Sequence, residues 1–162
     1  MSIRKTLKYE LPTLMGIFAH ARDFMAEHGN AYQWGHNCWP HIDVVERDIE
    51  QGNSYVIISK GAIVGTFYFT CGAHAEPCYD KIEGSWEFDG PYGVIHRIAS
   101  SGKKKGVLEQ AVKFALEHVE HVRIDTHEDN TVMRNALTKL GFKQRGIIYV
   151  EHDDVPRIAY EI

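Results

Sequence analysis

Apolar residues over the first thirty positions recur at helical spacing. Leu11, Leu14, Met15, Phe18, Arg22 and Met25 step by three and four, with Pro12 in the first turn and Gly29 as a stop, which predicts a helix. A shorter helix follows Pro40, with Ile42, Val45 and Ile49 on one face and Gly52 ending it. Between the two lies an aromatic loop from Tyr32 to Trp39. Ser54 to Ser59 and Ala62 to Cys71 are rich in β-branched and aromatic residues and are separated only by Lys60-Gly61, so they read as a hairpin. The segment from Gly72 to Pro91 carries turn chemistry, and a loop of this length is usually functional. Tyr92 to Ser100 reads as a strand. A third helix is marked by Leu108, Ala111, Val112, Ala115 and Val119, and a strand by Val122 to Thr126. A fourth helix is marked by Met133, Ala136, Leu137 and Leu140 and stopped by Gly141, and Phe142 to Val150 and Pro156 to Ile162 close the chain as strands. The order describes an α/β chain with a central strand, loop, helix, strand unit.

Length and composition narrow the class. The chain has 162 residues, 44% of them apolar and 25% charged, which suits one domain spanning residues 1–162 with a core large enough to need no staple. Cys38, Cys71 and Cys78 cannot all pair and are too few for a disulfide framework, so a reducing, cytoplasmic setting is expected. The longest apolar run, Ala62 to Phe69, is far below the ~18 residues of a membrane span, and no signal-peptide pattern is present. No membrane partner is expected. Eighteen basic against 22 acidic residues give a formal charge of −4, which opposes nucleic-acid binding.

Against that acidic background one basic cluster stands out. His96 to Val107 runs from a strand through Ser101-Gly102-Lys103-Lys104-Lys105-Gly106 directly into a helix. The first N–H groups of a helix lack internal partners and its dipole favours an anion there, so the loop is either a phosphate site or a solvated basic turn. It is neither a Walker loop nor a Gly-x-Gly-x-x-Gly turn. Asn130 reads as the N-cap of the fourth helix, followed eleven residues later by Gly141-Phe142. Cys71, His74, Glu76 and Cys78 have zinc-ligand chemistry but no ligand spacing, and His118 and His121 suit a helix C-terminus. No metal is expected.

Taken together, the strand, the basic glycine loop opening a helix, the next strand and the Asn-x10-Gly-Phe pattern resemble the GNAT superfamily of N-acetyltransferases, over essentially the whole chain. The resemblance implies an acyl-CoA N-acyltransferase fold, a central, mostly antiparallel mixed sheet flanked by four helices, and acetyl-CoA as cofactor. The amides of Ser101, Lys103, Lys104, Lys105, Gly106, Val107 and Leu108 would hold its pyrophosphate. Ile98, Ala99 and Ser100 would pair with the pantetheine arm as an added strand. Asn130 would contact that arm and Lys139 would reach a phosphate. The chain departs from the family pattern at Leu108, where a small residue is usual, and at Leu137, where a tyrosine often protonates the leaving thiolate.

Losing that tyrosine matters little, because a thiol of pKa ~8.5 leaves as thiolate at pH 7 against only about 2 kcal/mol. The acceptor poses the harder problem, since an alkylamine is almost wholly protonated at pH 7 and must lose a proton before attacking the thioester. His96 suits that task by its ordinary pKa, with Tyr149, Glu87 and Asp89 as weaker candidates, and Trp34, Trp39 and Tyr32 are candidate walls of the acceptor site. The expected activity is therefore direct transfer of acetyl from acetyl-CoA to a primary amine of a small molecule or peptide, in a monomer or homodimer. The alternative is a degenerate relative that binds CoA or acyl-CoA as a sensor or interaction module. A third reading, an RNA-binding module using the lysines and aromatics, is opposed by the acidity.

Overall fold

The structure, a computed structural model, describes all residues 1–162. Its elements follow the sequence pattern closely. Strand β1 (Ser2–Lys5) leads into helix α1 (Leu11–Glu27), and α2 (Ile42–Glu50) follows the aromatic loop. The hairpin is β2 (Ser54–Ser59) and β3 (Ala62–Gly72), and the long loop contains a 3-10 turn, Pro77–Lys81, and a two-residue strand β4 (Glu83–Gly84). The remainder is β5 (Tyr92–Ser100), α3 (Val107–Leu116), β6 (Val122–His127), α4 (Thr131–Lys139), β7 (Lys143–Ile148) and β8 (Arg157–Glu161). The strands form one open eight-stranded sheet in the order β1-β2-β3-β5-β6-β8-β7-β4. All neighbours are antiparallel except β5 and β6, a parallel pair joined by the crossover through α3.

Apolar faces settle where the helices lie. Val107, Ala111, Val112 and Ala115 of α3 and Leu137 of α4 pack with Ile57, Val64, Phe67, Phe69, Ile95, Val122 and Ile124 on one face of the sheet. Leu14, Ile17, Phe18 and Ala21 of α1 pack with Val45 of α2, Trp34 and sheet residues Val56 and Ala99 on the other. At the far end of that second face the long loop takes over, with Tyr79 fully buried against Tyr92, Val94, Ile148 and Ala159. The 3-10 turn and β4 are held by this packing and by pairing to β7, which short polar segments do not announce in sequence.

Two irregularities open the sheet where a site can form. The β5 and β6 ladder consists only of Gly93 with Val122 and Val94 with Arg123, after which the strands diverge into a wedge. From Ile95 onward β5 pairs with β3 alone, so its wedge-facing backbone groups have no strand partner. In the same stretch Thr66 opposes Ala99 and Tyr68 opposes His96, so Arg97 and Ile98 face the single residue Phe67 in a β-bulge. Arg97 sits at φ 47°, a left-handed conformation unusual outside glycine. The bulge lets His96 and Arg97 line one cavity, which strict alternation along a strand forbids.

Candidate active site

The loop after β5 supplies a row of free donors. Ser101 N–H bonds to Val64 O at 2.9 Å, and Gly102 and Lys103 N–H bond to the hydroxyls of Ser100 and Ser101. From Lys104 to Glu109 no backbone N–H has an acceptor in the chain, because α3 begins at Val107 and its first return bond is Gln110 N–H to Gly106 O at 3.0 Å. Gly106 adopts φ 89° as the N-cap residue and turns the chain into the helix. Gly65 on β3 makes the docking of that first turn tight, since a Cβ there would lie 2.7 Å from Cγ1 of Val107. Lys103, Lys104 and Lys105 are exposed and form no ion pair. Leu108 packs its side chain against the main core, so its bulk points away from the free amides.

A cavity of about 910 Å³ opens beside the wedge, between α1, α2, the aromatic loop, β5, β6 and the segment after β7. On its β5 wall, Nε2 of His96 lies 2.9 Å from Oε2 of Glu76, and Nδ1 lies 3.6 Å from Oδ2 of Asp125. Tyr79 O–H donates to the same Asp125 oxygen at 2.6 Å. Burial raises the Glu76 carboxyl, but the hydrogen bond and charge of His96, with the Cys78 N–H, outweigh it and bring the pKa down to about 2. Cys78 also lines the cavity, and burial together with the Glu76 charge pushes its thiol well above the ordinary range. Deeper on this wall, Arg97 makes a two-pronged pair with Asp48 at 2.7 and 2.9 Å and lies over the Tyr68 ring.

The opposite corner is organised by a residue that sequence reasoning passed over. Oε1 of Gln33 accepts from Asn30 Nδ2 at 2.9 Å, Asn130 Nδ2 at 3.2 Å, Thr126 Oγ1 at 3.3 Å and His127 N–H at 3.4 Å. Asn130 uses its own carbonyl to cap α4, accepting from Met133 N–H at 3.1 Å, so both ends of its amide are fixed. Behind Gln33, Arg157 is 2% exposed, pairs with Asp153 at 2.8 Å and reaches Gln33 O at 3.5 Å. His152 stacks on Trp39 with centroids 3.8 Å apart, and burial, reinforced by the Arg157 charge, lowers its pKa to about 4.

The predicted residues divide accordingly. His96, Ile98, Asn130, Trp34 and Trp39 all line the cavity, whereas Tyr32 and Tyr149 do not. Tyr32 is exposed and stacked on His36. Tyr149 lies just past the end of β7, between buried Ile148 and cavity-lining Val150, and is itself exposed. Glu87 is occupied by Arg145, and Lys139 is exposed on the last turn of α4 without an ion pair. Leu137 is wholly buried in the core, so the position that holds a tyrosine in the resembled family offers nothing to this cavity. Of the cysteine and histidine cluster weighed for zinc, Cys71 is exposed and His74 turns to Asp80 at 3.2 Å. Asp125, Gln33 and Arg157 were the omissions, and Glu76 was weighed only as a zinc ligand. The one acid of β6, next to buried Ile124, was the available signal for Asp125; Gln33, Arg157 and the role of Glu76 become visible only when distant segments meet.

No protein-family model matches the sequence, and no curated protein matches it. Solved structures do. A GNAT-family acetyltransferase from Streptococcus agalactiae 2603 superposes with a TM-score of 0.85 and 28% identity, over 99% of this chain and 93% of that one. One from Listeria monocytogenes 4b F2365 gives 0.71 and 16%, over 99% and 93%. A ribosomal-protein-alanine N-acetyltransferase from Brucella melitensis gives 0.62 and 14%, over 100% and 99%. With a parted β5 and β6, a loop of free amides opening α3 and this likeness over nearly its whole length, the chain has the fold of the GNAT superfamily of acetyltransferases and is similar to its members.

Proposed function

We propose that the chain transfers acetyl from acetyl-CoA to a primary amine by direct attack. The observation that carries this reading is the parting of β5 from β6 beside the unpaired amides of Lys104 to Glu109. A pyrophosphate at those amides would meet a helix N-terminus and three uncompensated lysines, the right chemistry for a polyanion in an otherwise acidic chain. The pantetheine arm would then pair as a strand with the open edge of β5 at Ile98, Ala99 and Ser100 and bring the thioester to the cavity. Asn130 stands at the other side of the wedge to meet the arm, while Lys139 supplies at most long-range attraction to the phosphates.

The acceptor reaches the thioester from the cavity. With Nε2–H donated to Glu76, His96 keeps Nδ1 as a free lone pair, and Asp125 stands where the imidazolium would need a counter-charge. His96 Nδ1 takes the ammonium proton, directly or through one water, and the amine forms the C–N bond at the acetyl carbonyl. A wedge-facing N–H of β5 polarises that carbonyl, the C–S bond breaks, and the departing CoA thiolate takes the remaining proton of the new amide nitrogen, directly or through water, and leaves as thiol. Cys78 takes no part as a nucleophile, because its environment keeps it a thiol. The resulting catalyst works by holding two reactants in line and by accepting the first of the two protons that the acceptor nitrogen gives up.

The test is free-thiol release from acetyl-CoA across a panel of amines, read beside acetyl-CoA binding. Amine-dependent release supports the reading. Binding without release for any amine would leave a CoA-binding module instead.

A further inference from the structure

The amide nitrogen of Gln33 is an unused donor in a wall of donors. Asn130 fixes how the Gln33 carboxamide is turned. Its own oxygen is committed to Met133 N–H, so the atom it shows Gln33 is Nδ2, and Gln33 must answer with oxygen. The backbone N–H of His127 requires the same orientation. Oε1 is thereby saturated, and Nε2 is left with no acceptor in the chain, although the residue is only 7% exposed and lines the cavity. Nε2 is not among the buried polar atoms sealed from solvent, so it remains open to an incoming group.

The surroundings say what that group carries. Behind Gln33, the buried Arg157 guanidinium has one carboxylate partner, Asp153, while its Nη1 has no acceptor at all. One residue from Thr126 on β6, at Asp125, the polarity reverses. Glu76 and Asp125 flank His96, and Oδ1 of Asp125 has no hydrogen-bond partner, so that wall receives a cation. A ligand matching both walls bears an ammonium toward Asp125 and a donor-free, oxygen-rich group toward Gln33. A carboxylate meets that second need, because it accepts from several N–H groups and is drawn by the guanidinium charge behind them.

Building on the acetyl-transfer reading above, we infer that the acceptor is a carboxylate-bearing amine of the amino-acid class, with Gln33 Nε2 as the donor that selects its carboxylate and Arg157 as the charge behind it. Gln33 thus determines specificity, while its oxygen keeps the Asn130 corner in place.

The experiment uses the full chain, acetyl-CoA and matched acceptor triplets: an amino acid, its carboxamide, and the amine lacking the carboxyl group, at several spacings between amine and carboxylate. In at least one triplet the acid should exceed both partners in kcat/KM by tenfold or more, chiefly through KM. Gln33→Glu keeps an acceptor oxygen for the four donors but replaces the NH2 by a negative oxygen. It should remove that preference while preserving acetyl-CoA binding. If carboxamides or carboxyl-free amines are turned over as well as the acids, the inference is overturned and the acetyl-transfer reading stands. If acetyl-CoA binds but no acid is acetylated, it is overturned as well. Absence of both binding and thiol release sinks the two together. The wild-type triplets decide the matter even if the Gln33→Glu variant does not fold.

Discussion

Glu76 and His96 meet at 2.9 Å although twenty residues of chain separate them, and the meeting commits Nε2 of His96 to Glu76 and leaves Nδ1 free of it. The long loop brings Glu76 there because Tyr79 is buried beneath it and because Tyr92 O–H donates to Glu76 O at 3.3 Å. If the imidazole takes the acceptor proton, His96→Ala should lower kcat/KM by roughly 10²–10⁴ at pH 7 and leave acetyl-CoA binding unaltered. Steady-state thiol release with binding measured in parallel checks this. A variant that keeps wild-type turnover removes His96 from the mechanism.

The cofactor loop offers a sharper substitution. Gly106→Asp places a carboxylate among the free amides of Lys104 to Glu109 and forces a side chain onto a residue at φ 89°. Acetyl-CoA should no longer raise the melting temperature of this variant. Gly106→Ala separates the two effects, since it carries only the backbone strain, about 1 kcal/mol, and should still respond to the cofactor. An unchanged response in the Asp variant would refute the placement of the pyrophosphate.

Asp48 and Arg97 tie α2 to the bulge. Burial raises the Asp48 carboxyl pKa, and the charge and hydrogen bonds of the Arg97 guanidinium oppose that shift. Asp48→Ala strands a largely buried cation next to a residue held at φ 47°. We expect a loss of about 2–3 kcal/mol in urea unfolding together with weaker acceptor binding. A loss below about 0.5 kcal/mol would show that the bulge stands without the pair.

His152 makes stability depend on pH. Its folded pKa, about 4, lies below the ordinary histidine value, so the unfolded chain binds more protons between about pH 6.5 and 4. The stabilising contribution is therefore complete above pH 6.5 and is lost as the pH falls through that window. For a ring still partly in contact with solvent this amounts to about 1–2 kcal/mol. Glu76, lowered to about 2, adds a second loss beginning near pH 4.5 and extending downward. His152→Phe retains the stack on Trp39 and should flatten the melting temperature between pH 6.5 and 4.5. An unchanged slope there would place the acid sensitivity elsewhere.

Periodicity carried the architecture because the four helices bury one face each and the central strands are buried. The spacing of Leu11, Leu14 and Phe18 anticipates α1, and the apolar run from Tyr92 anticipates β5 to the residue, since a strand buried at the sheet centre opens without polar interruption. The bulge at Arg97 left no trace, because it is set by pairing with β3 and by Asp48 rather than by a glycine. Tyr149 lies outside the cavity because β7 ends at Ile148 and the residue just beyond it is exposed, an end point that the apolar run to Val150 does not mark. Half of the site was hidden for a similar reason. Glu76 sits in a loop and Gln33 among aromatics, and neither type nor spacing marks a side chain whose role comes from partners 20 and 97 residues away along the chain.

Melting of the wild-type chain with and without acetyl-CoA tests the central claim most directly. Acetyl-CoA at about 100 times its Kd stabilises the folded state by about 2.7 kcal/mol, which for a chain of this size raises the melting temperature by roughly 5–10 °C. That rise is the predicted result. No shift at millimolar acetyl-CoA would contradict the assignment of the wedge and its amide loop as a cofactor site.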